Sequence, residues 1–314
     1  MGATCCPPPP SAWRWANLSI FGLRGMAVHA RSDVVSSVLR RGHMWEPELT
    51  QTLRRELTRA HTRSISTSTM PTAGAPLHLL DIGANIGWFT LVAAAHGADV
   101  TAIEPSVLNA WLVRKSLAAN PHLAPRVTLH NVGAGATTGG SCDLISPDSN
   151  VGDTMLECGD VAAGLARWNA WGATQRAKYR YRSRGTLRLA RIDELVTRPV
   201  DVLKIDIEGY EPLAAQGWEQ LFARRRPRLI VSEVQLQVMR DNGFSPSQYL
   251  MAFARMGYTL HVGTSAPALR SEAAVMRWLN RTEWRRSYDV VMTLRHGPRD
   301  LEADLGRLHG SNVM

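Results

Sequence analysis

The sequence lacks several things, and each absence narrows what the chain can be. No uninterrupted apolar run approaches the roughly 18 residues that read as a membrane-spanning helix. The best candidate, Leu18 to Val28, is short and broken by Arg24, so no membrane span is expected. Lysine is scarce: only Lys115, Lys178 and Lys204 occur, and the net charge of +9 rests on arginine. That bias reads as codon composition more than as a binding code, although it is compatible with an acidic or phosphorylated partner. Four cysteines are present, at 5, 6, 142 and 158, with no C-x-x-C pair and no zinc-type spacing. Cys142 and Cys158 are expected to be small core or loop residues, which suits a reducing compartment without requiring one. The first 32 residues contain no Asp or Glu, but hold Arg14, Arg24, Arg31 and four prolines at 7–10. Such a leader fits a disordered tail or an organelle transit peptide, so the compartment stays open between cytoplasm and organelle. Met1-Gly2 with Cys5-Cys6 hints at acylation, but Cys6 stands where Ser or Thr is needed.

What is present describes a globular chain. Hydrophobic residues make up 45% and charged residues 20% of 314, enough for a full core. Four segments are expected: a leader over 1–24, a helical arm and loop over 25–76, an α/β domain over 77–294 and a tail over 295–314. In the arm, Val34, Val35, Val38, Leu39, Leu49, Leu53 and Leu57 recur at helical steps, with a helix start at Glu46-Pro47. Residues 61–76 are Ser/Thr/Pro/Gly-rich and read as a flexible loop.

From Leu77 the pattern alternates. Strands are expected at 77–82, 99–104, 126–132, 201–207 and 227–234, with helices at about 86–96, 107–119, 210–223 and 246–256. This order implies a parallel sheet with helices on both faces. Two later strand-like runs, Tyr258–Val262 and Tyr288–Leu294, flank a helical stretch at 270–279, and the last strand is expected to join antiparallel. The stretch 133–200 is not simple βα sequence and reads as an insertion suited to a lid or substrate wall.

The chemistry concentrates at two segments, LLDIGANIGWFT (79–90) and VLKIDIEGYE (202–211). Asp81 ends the first strand, and Gly83, Ala84, Asn85 and Gly87 turn the chain into a helix, letting the backbone approach a ligand closely. Free N–H groups at the helix start suit a carboxylate, and Asp81 is placed to hold an ammonium group. Glu104, followed by Pro105, stands 21 residues after Gly83 at the next strand's tip. A carboxylate there can accept both hydroxyls of a ribose. These features describe S-adenosylmethionine. The alternative is NAD, but its G-x-G-x-x-G fingerprint needs a second glycine for the pyrophosphate, and Asn85 holds that place.

Asp206, Glu208 and Glu233 are the carboxylates at strand tips on the ligand edge of the sheet, candidates for a general base. Glu208 also suits a helix cap. Lys204, on the same side as Asp206, is expected to pair with a sheet-edge acid. His43 and His130 are further bases, more often structural. Asp206 and Glu208 lack an identifiable third ligand, so no metal is expected. A nucleic-acid-binding alternative rests on KYRYRSR at 178–184, where aromatics interleave with arginines. The bland reading is a solvated strand or loop face, and no N-P-P-Y/F motif follows the fourth strand.

These residues resemble the FkbM family of S-adenosylmethionine-dependent methyltransferases. The likeness runs from DIGANIGWFT through AIEPS (102–106), Asn120, RIDEL (191–195) and KIDIEGYE (204–211) to SEV (232–234), with RSDVVSSVLRRGHMWEPELT (31–50) as a lead-in. The resemblance implies a class I Rossmann-like methyltransferase fold, with seven mostly parallel strands ordered 3-2-1-4-5-7-6. It implies methyl transfer, typically to a hydroxyl oxygen of a sugar, lipid or small metabolite. By position it assigns Asp81, Gly83, Asn85, Gly87 and Glu104 to the cofactor, puts Asn131 and Val132 beside the adenine, and sets Asp206 and Glu208 beside the methyl group. Nucleic acid is not an expected partner. The stretches 133–200 and 263–287 depart from the family and would set the acceptor.

Overall fold

The computed structural model describes residues 8–18, 20–66, 75–174, 179–263 and 268–294. The C-terminal tail, residues 67–74 of the expected loop, residues 175–178 and the Met1–Cys6 acylation motif lie outside the described residues.

Seven strands form the central sheet: β1 (His78–Ile82), β2 (Asp99–Ile103), β3 (Val127–His130), β4 (Val202–Ile205), β5 (Leu229–Gln235), β6 (Tyr258–Val262) and β7 (Ser287–Leu294). Their order is β6-β7-β5-β4-β1-β2-β3, the expected 3-2-1-4-5-7-6 read from the other edge. The sheet is mixed: β4 runs parallel to β1 and β5, and β2 parallel to β3, whereas β7 is antiparallel to both β5 and β6. Strands β1 and β4 are buried at every position, which is why they read as apolar runs interrupted only by His78, Asp81 and Lys204.

The chain packs into two compact units. One comprises 1–76, 84–132 and 141–187; the other comprises 77–83, 133–140 and 188–314. In the second unit the core is aromatic at one end: Trp218, Phe222, Phe253 and Tyr258 pack with ring centroids 5.0 to 6.3 Å apart. The helix expected over 210–223 is two, Glu211–Ala215 and Glu219–Arg224. A Cβ on Gly217 would lie 2.3 Å from the Gly135 carbonyl oxygen. The close approach there fixes the break and lets Trp218 turn inward, fully buried.

In the first unit the leader is the main surprise. Trp13–Ala16, expected to belong to a disordered or targeting segment, pairs antiparallel with Met26–His29. An acid-free composition says nothing against a strand when its apolar residues find a partner: Ala16, Leu18 and Leu23 are buried. Asn120 holds this hairpin down, accepting from Arg24 N–H (2.7 Å) and donating to the Gly25 carbonyl (2.9 Å). Lys115 sits over the rings of both Trp13 and Trp111. The arm continues as helices Val34–Arg40 and Pro47–Ser66, so residues 61–66, expected in a loop, continue the helix.

The insertion carries a second sheet of four strands, ordered Gly133–Ala134, Tyr181–Ala190, Ser141–Pro147 and Met155–Glu157, and a helix Val161–Thr174. Cys142 and Cys158 form a disulfide across it. The expectation that they are simply small core or loop residues is corrected here. Antiparallel pairing of Asp143 with Glu157 brings the flanking cysteines opposite each other, a proximity that linear spacing does not reveal.

Candidate functional site

The turn after β1 alternates into the left-handed region at Gly83, Asn85 and Gly87, with φ of 77°, 52° and 88°. Glycine adopts this freely, and asparagine is among the residues that tolerate it. At Gly83 a Cβ would stand 1.8 Å from the Asp206 carbonyl oxygen; at Gly87 it would meet Val113 at 2.9 Å. Ala84 N–H donates to the Ile103 carbonyl (3.1 Å), stitching the turn to the end of β2. Asn85 N–H donates to Glu104 Oε2 at 2.7 Å.

Glu104 is buried and held from several sides. Its Oε1 accepts from Ser106 N–H (2.9 Å) and from Asn109 Nδ2 (3.2 Å). Asn109 Oδ1 lies 2.8 Å from His29 Nε2, so the N-terminal hairpin positions the residue that positions Glu104. Asn131 donates through Nδ2 to the carbonyls of Glu104 (2.8 Å) and Pro105 (3.0 Å), clamping the backbone after β2. Val132, beside it, is half-buried. The carboxylate is therefore oriented before any ligand arrives.

The insertion is fastened to the arm by its 148–153 loop. Val151 N–H donates to the Ser32 carbonyl (2.6 Å), Val34 N–H to Asn150 Oδ1 (3.1 Å), and Asn109 Nδ2 to the Gly152 carbonyl (3.3 Å). Farther along the loop's supports, Arg182 and Arg184 pair with Asp148 at 2.7 and 3.0 Å. These contacts hold the Asp148 carboxyl below its ordinary value, the Arg182 hydrogen bond foremost. Tyr179 stacks with Trp171, and Tyr181 packs against Trp168. Arg182, Arg184, Tyr179 and Tyr181 of the basic run thus have intramolecular roles.

The acidic residues after β4 and near the end of β5 form a second cluster. Ile205 and Ser232 are partners in the parallel ladder, so the next residues, Asp206 and Glu233, fall side by side. Asp206, Glu208 and Glu233 each offer an oxygen within 4.8 Å of the others. This supplies the third carboxylate that linear spacing did not identify, because sheet register supplied it. Three such oxygens suit a hard divalent cation or shared protons. Gln235 Nε2 donates to both Glu208 and Glu233. Lys204 Nζ donates to the Gly83 carbonyl (3.1 Å) and Asp206 Oδ2 (3.2 Å), and lies 3.9 Å from Asp81 Oδ1. Lys204 thus pairs with sheet-edge acids as expected. Burial, with Asp206 nearby, raises the Glu233 carboxyl well above its ordinary value. Asp289, opposite Glu233 on β7, is raised by the same two causes.

Two residues escaped the sequence reading. Glu211, inside KIDIEGYE, accepts through Oε1 from Ile207 N–H (2.9 Å) and Gly209 N–H (3.3 Å), and burial pushes its carboxyl up to about 7. The other is Asn109, whose position three residues after Ser106 marks the first turn of the Val107–Ala119 helix. His43 is exposed, and burial lowers the pKa of His130.

Among the described residues no helix is long and apolar enough to cross a membrane. No curated protein sequence matches the chain. Among solved structures, an FkbM methyltransferase from Methylobacillus flagellatus KT is 15% identical, with a TM-score of 0.37 over 82% of this chain. The chain spans 60% of that protein's length. A methyltransferase described as SAM-dependent, from Agrobacterium tumefaciens, is 12% identical with a TM-score of 0.38, over 91% of this chain and 70% of that one. An O-methyltransferase from Bacillus cereus, in complex with SAH, is 12% identical with a TM-score of 0.36, over 78% and 91%. Likeness at this distance carries no weight on substrate or mechanism. The sequence evidence is stronger, because a model of the methyltransferase FkbM domain matches residues 81–260, more than half of the chain. The chain belongs to the FkbM methyltransferase family.

Proposed function

We propose that this protein transfers the methyl group of S-adenosylmethionine to a hydroxyl oxygen of a sugar, lipid or small metabolite. The observation that carries this reading is the carboxylate cluster of Asp206, Glu208 and Glu233, whose oxygens lie within 4.8 Å of one another. A hydroxyl must lose its proton as the new bond forms, and a carboxylate within hydrogen-bond reach serves as the acceptor. When bound, the cofactor supplies an electrophilic methyl group.

The chain's own residues divide the remaining work. Gly83, Ala84, Asn85 and Gly87 bring backbone close to the ligand, and Glu104, oriented by Asn85, Ser106 and Asn109, receives its ribose hydroxyls. Each charge-assisted bond of that kind contributes roughly 1.5–3 kcal/mol. Pro105, Asn131 and Val132 flank the adenine. Glu233, with its carboxyl raised by burial and by Asp206, holds a proton more readily than an ordinary acid. The base is therefore Asp206 or Glu208. Asp206 is the more strongly supported: its side chain is 30% exposed, and Lys204 fixes it from the sheet side.

Calorimetry with S-adenosylhomocysteine tests the cofactor half. Folded protein that binds nothing, with Glu104→Ala no different from wild type, would refute it. A labelled-methyl screen across glycans, lipids and hydroxylated metabolites tests the acceptor half. Label incorporated only into nitrogen positions or RNA would overturn it. Once an acceptor is known, Asp206→Asn is expected to lower turnover about 100-fold or more.

A further inference from the structure

We infer that Asp33 and Asn85 form a receptor for the α-ammonium group of the methyl donor, which extends the ligand-reading surface into the N-terminal arm, outside residues 81–260. The inference deepens the proposed cofactor site and rests on that reading.

Asp33 caps the Val34–Arg40 helix: its Oδ2 accepts from Ser36 N–H at 2.6 Å. Its other oxygen, Oδ1, is buried with no hydrogen-bond donor among the described residues, on a residue only 5% exposed. Asn85 repeats the pattern. Its N–H is spent on Glu104, while its Oδ1 is buried and unpartnered among the described residues. The two orphaned oxygens converge on one spot. A Cβ built on Gly152 would lie 2.2 Å from Asp33 Oδ1 and 3.3 Å from Asn85 Oδ1. Gly152 thus packs against both oxygens where any side chain would collide with them, and the loop contacts to Ser32, Val34 and Asn109 hold it there.

A buried acceptor left unmet is costly, and a carboxylate more so. Two acceptors on one spot, one of them anionic, call for a cation with several N–H donors. An alkylammonium has three. The sulfonium of the methyl donor is charged but donates no hydrogen bond, and ribose hydroxyls are neutral. Asp81, the sequence candidate for this task, already faces an ammonium: Lys204 Nζ stands 3.9 Å from its Oδ1.

The test is calorimetry on the full chain with two ligands, S-adenosylhomocysteine and its deaminated counterpart, identical except for the amine. Asp33→Asn removes the charge but keeps an equally good helix cap. It is expected to weaken S-adenosylhomocysteine at least tenfold while changing the deaminated ligand less than twofold. Gly152→Ala, which sets a methyl group against both oxygens, is expected to give the same split and covers the case in which Asp33→Asn fails to fold. Equal weakening of both ligands, or an unchanged affinity for S-adenosylhomocysteine, overturns the inference. Folded wild-type protein that binds neither ligand removes the cofactor reading, and this inference with it.

Discussion

Replacing Glu211 by Gln gives a direct thermodynamic reading of the acidic end of the sheet. Glu211 is fully buried, and Oε2 has no hydrogen-bond partner among the described residues. Burial is the main reason its carboxyl rises from 4.5 to about 7; Asp206 adds to the rise, and the N–H groups of Ile207 and Gly209 oppose it. The native state thus keeps a proton that the unfolded chain releases at lower pH. Stability from this group is fully present below pH 4.5 and is lost as the pH rises through 7. At 1.36 kcal/mol per pH unit, the loss between pH 5 and 8.5 comes to about 2–3 kcal/mol. Gln keeps the oxygen that accepts from both N–H groups but cannot titrate. Any cost of burying its amide is the same at both pH values and cancels in the comparison. Urea unfolding of wild type and Glu211→Gln at pH 5 and pH 8.5 is the assay. The wild type is expected to lose about 2–3 kcal/mol more than the variant across that span. Equal losses would show that Glu211 is ionised throughout, and the account of its burial would fail.

Two further outcomes follow from local geometry. The Cys142–Cys158 bridge has a sequence separation of 16, and closing a loop of about that size is worth about 3 kcal/mol. Reductant is expected to lower the urea midpoint accordingly, and alkylation of the unreduced, denatured chain should miss two thiols; modification of all four would refute the bridge. Gly83→Ala sets a methyl group 1.8 Å from a backbone oxygen at a φ of 77°. It is expected to cost about 3 kcal/mol or more, and a denaturation midpoint within error of wild type would contradict the fit of the turn.

Much of the fold was legible because its signals are local. The glycine turn, the acid at the tip of β2 and the alternation of β1 to β5 each depend on neighbours in sequence. The parts that were not legible depend on register. Glu233 joins Asp206 only through the β4–β5 ladder, and Cys142 meets Cys158 only through the hairpin between them. Trp13–Ala16 was hidden by its company, since a proline-rich, acid-free leader masks four residues that need Met26–His29 to become a strand. Asp33 was not singled out in the sequence, because its second oxygen faces a loop more than a hundred residues away.

Strand β7 sets a timetable for synthesis. It sits between β5 and β6, pairing with seven residues of the first and five of the second. Yet β6 ends at Val262 and β7 at Leu294, so the edge strand is translated before the strand that seats it. At about 5–20 residues per second the nascent chain waits roughly 2–6 s with β6 lacking its place in the sheet and the outer edge of β5 bare. An uncovered strand edge recruits other chains. A strand beyond the segment that identifies the family therefore governs how much of this protein escapes aggregation at birth.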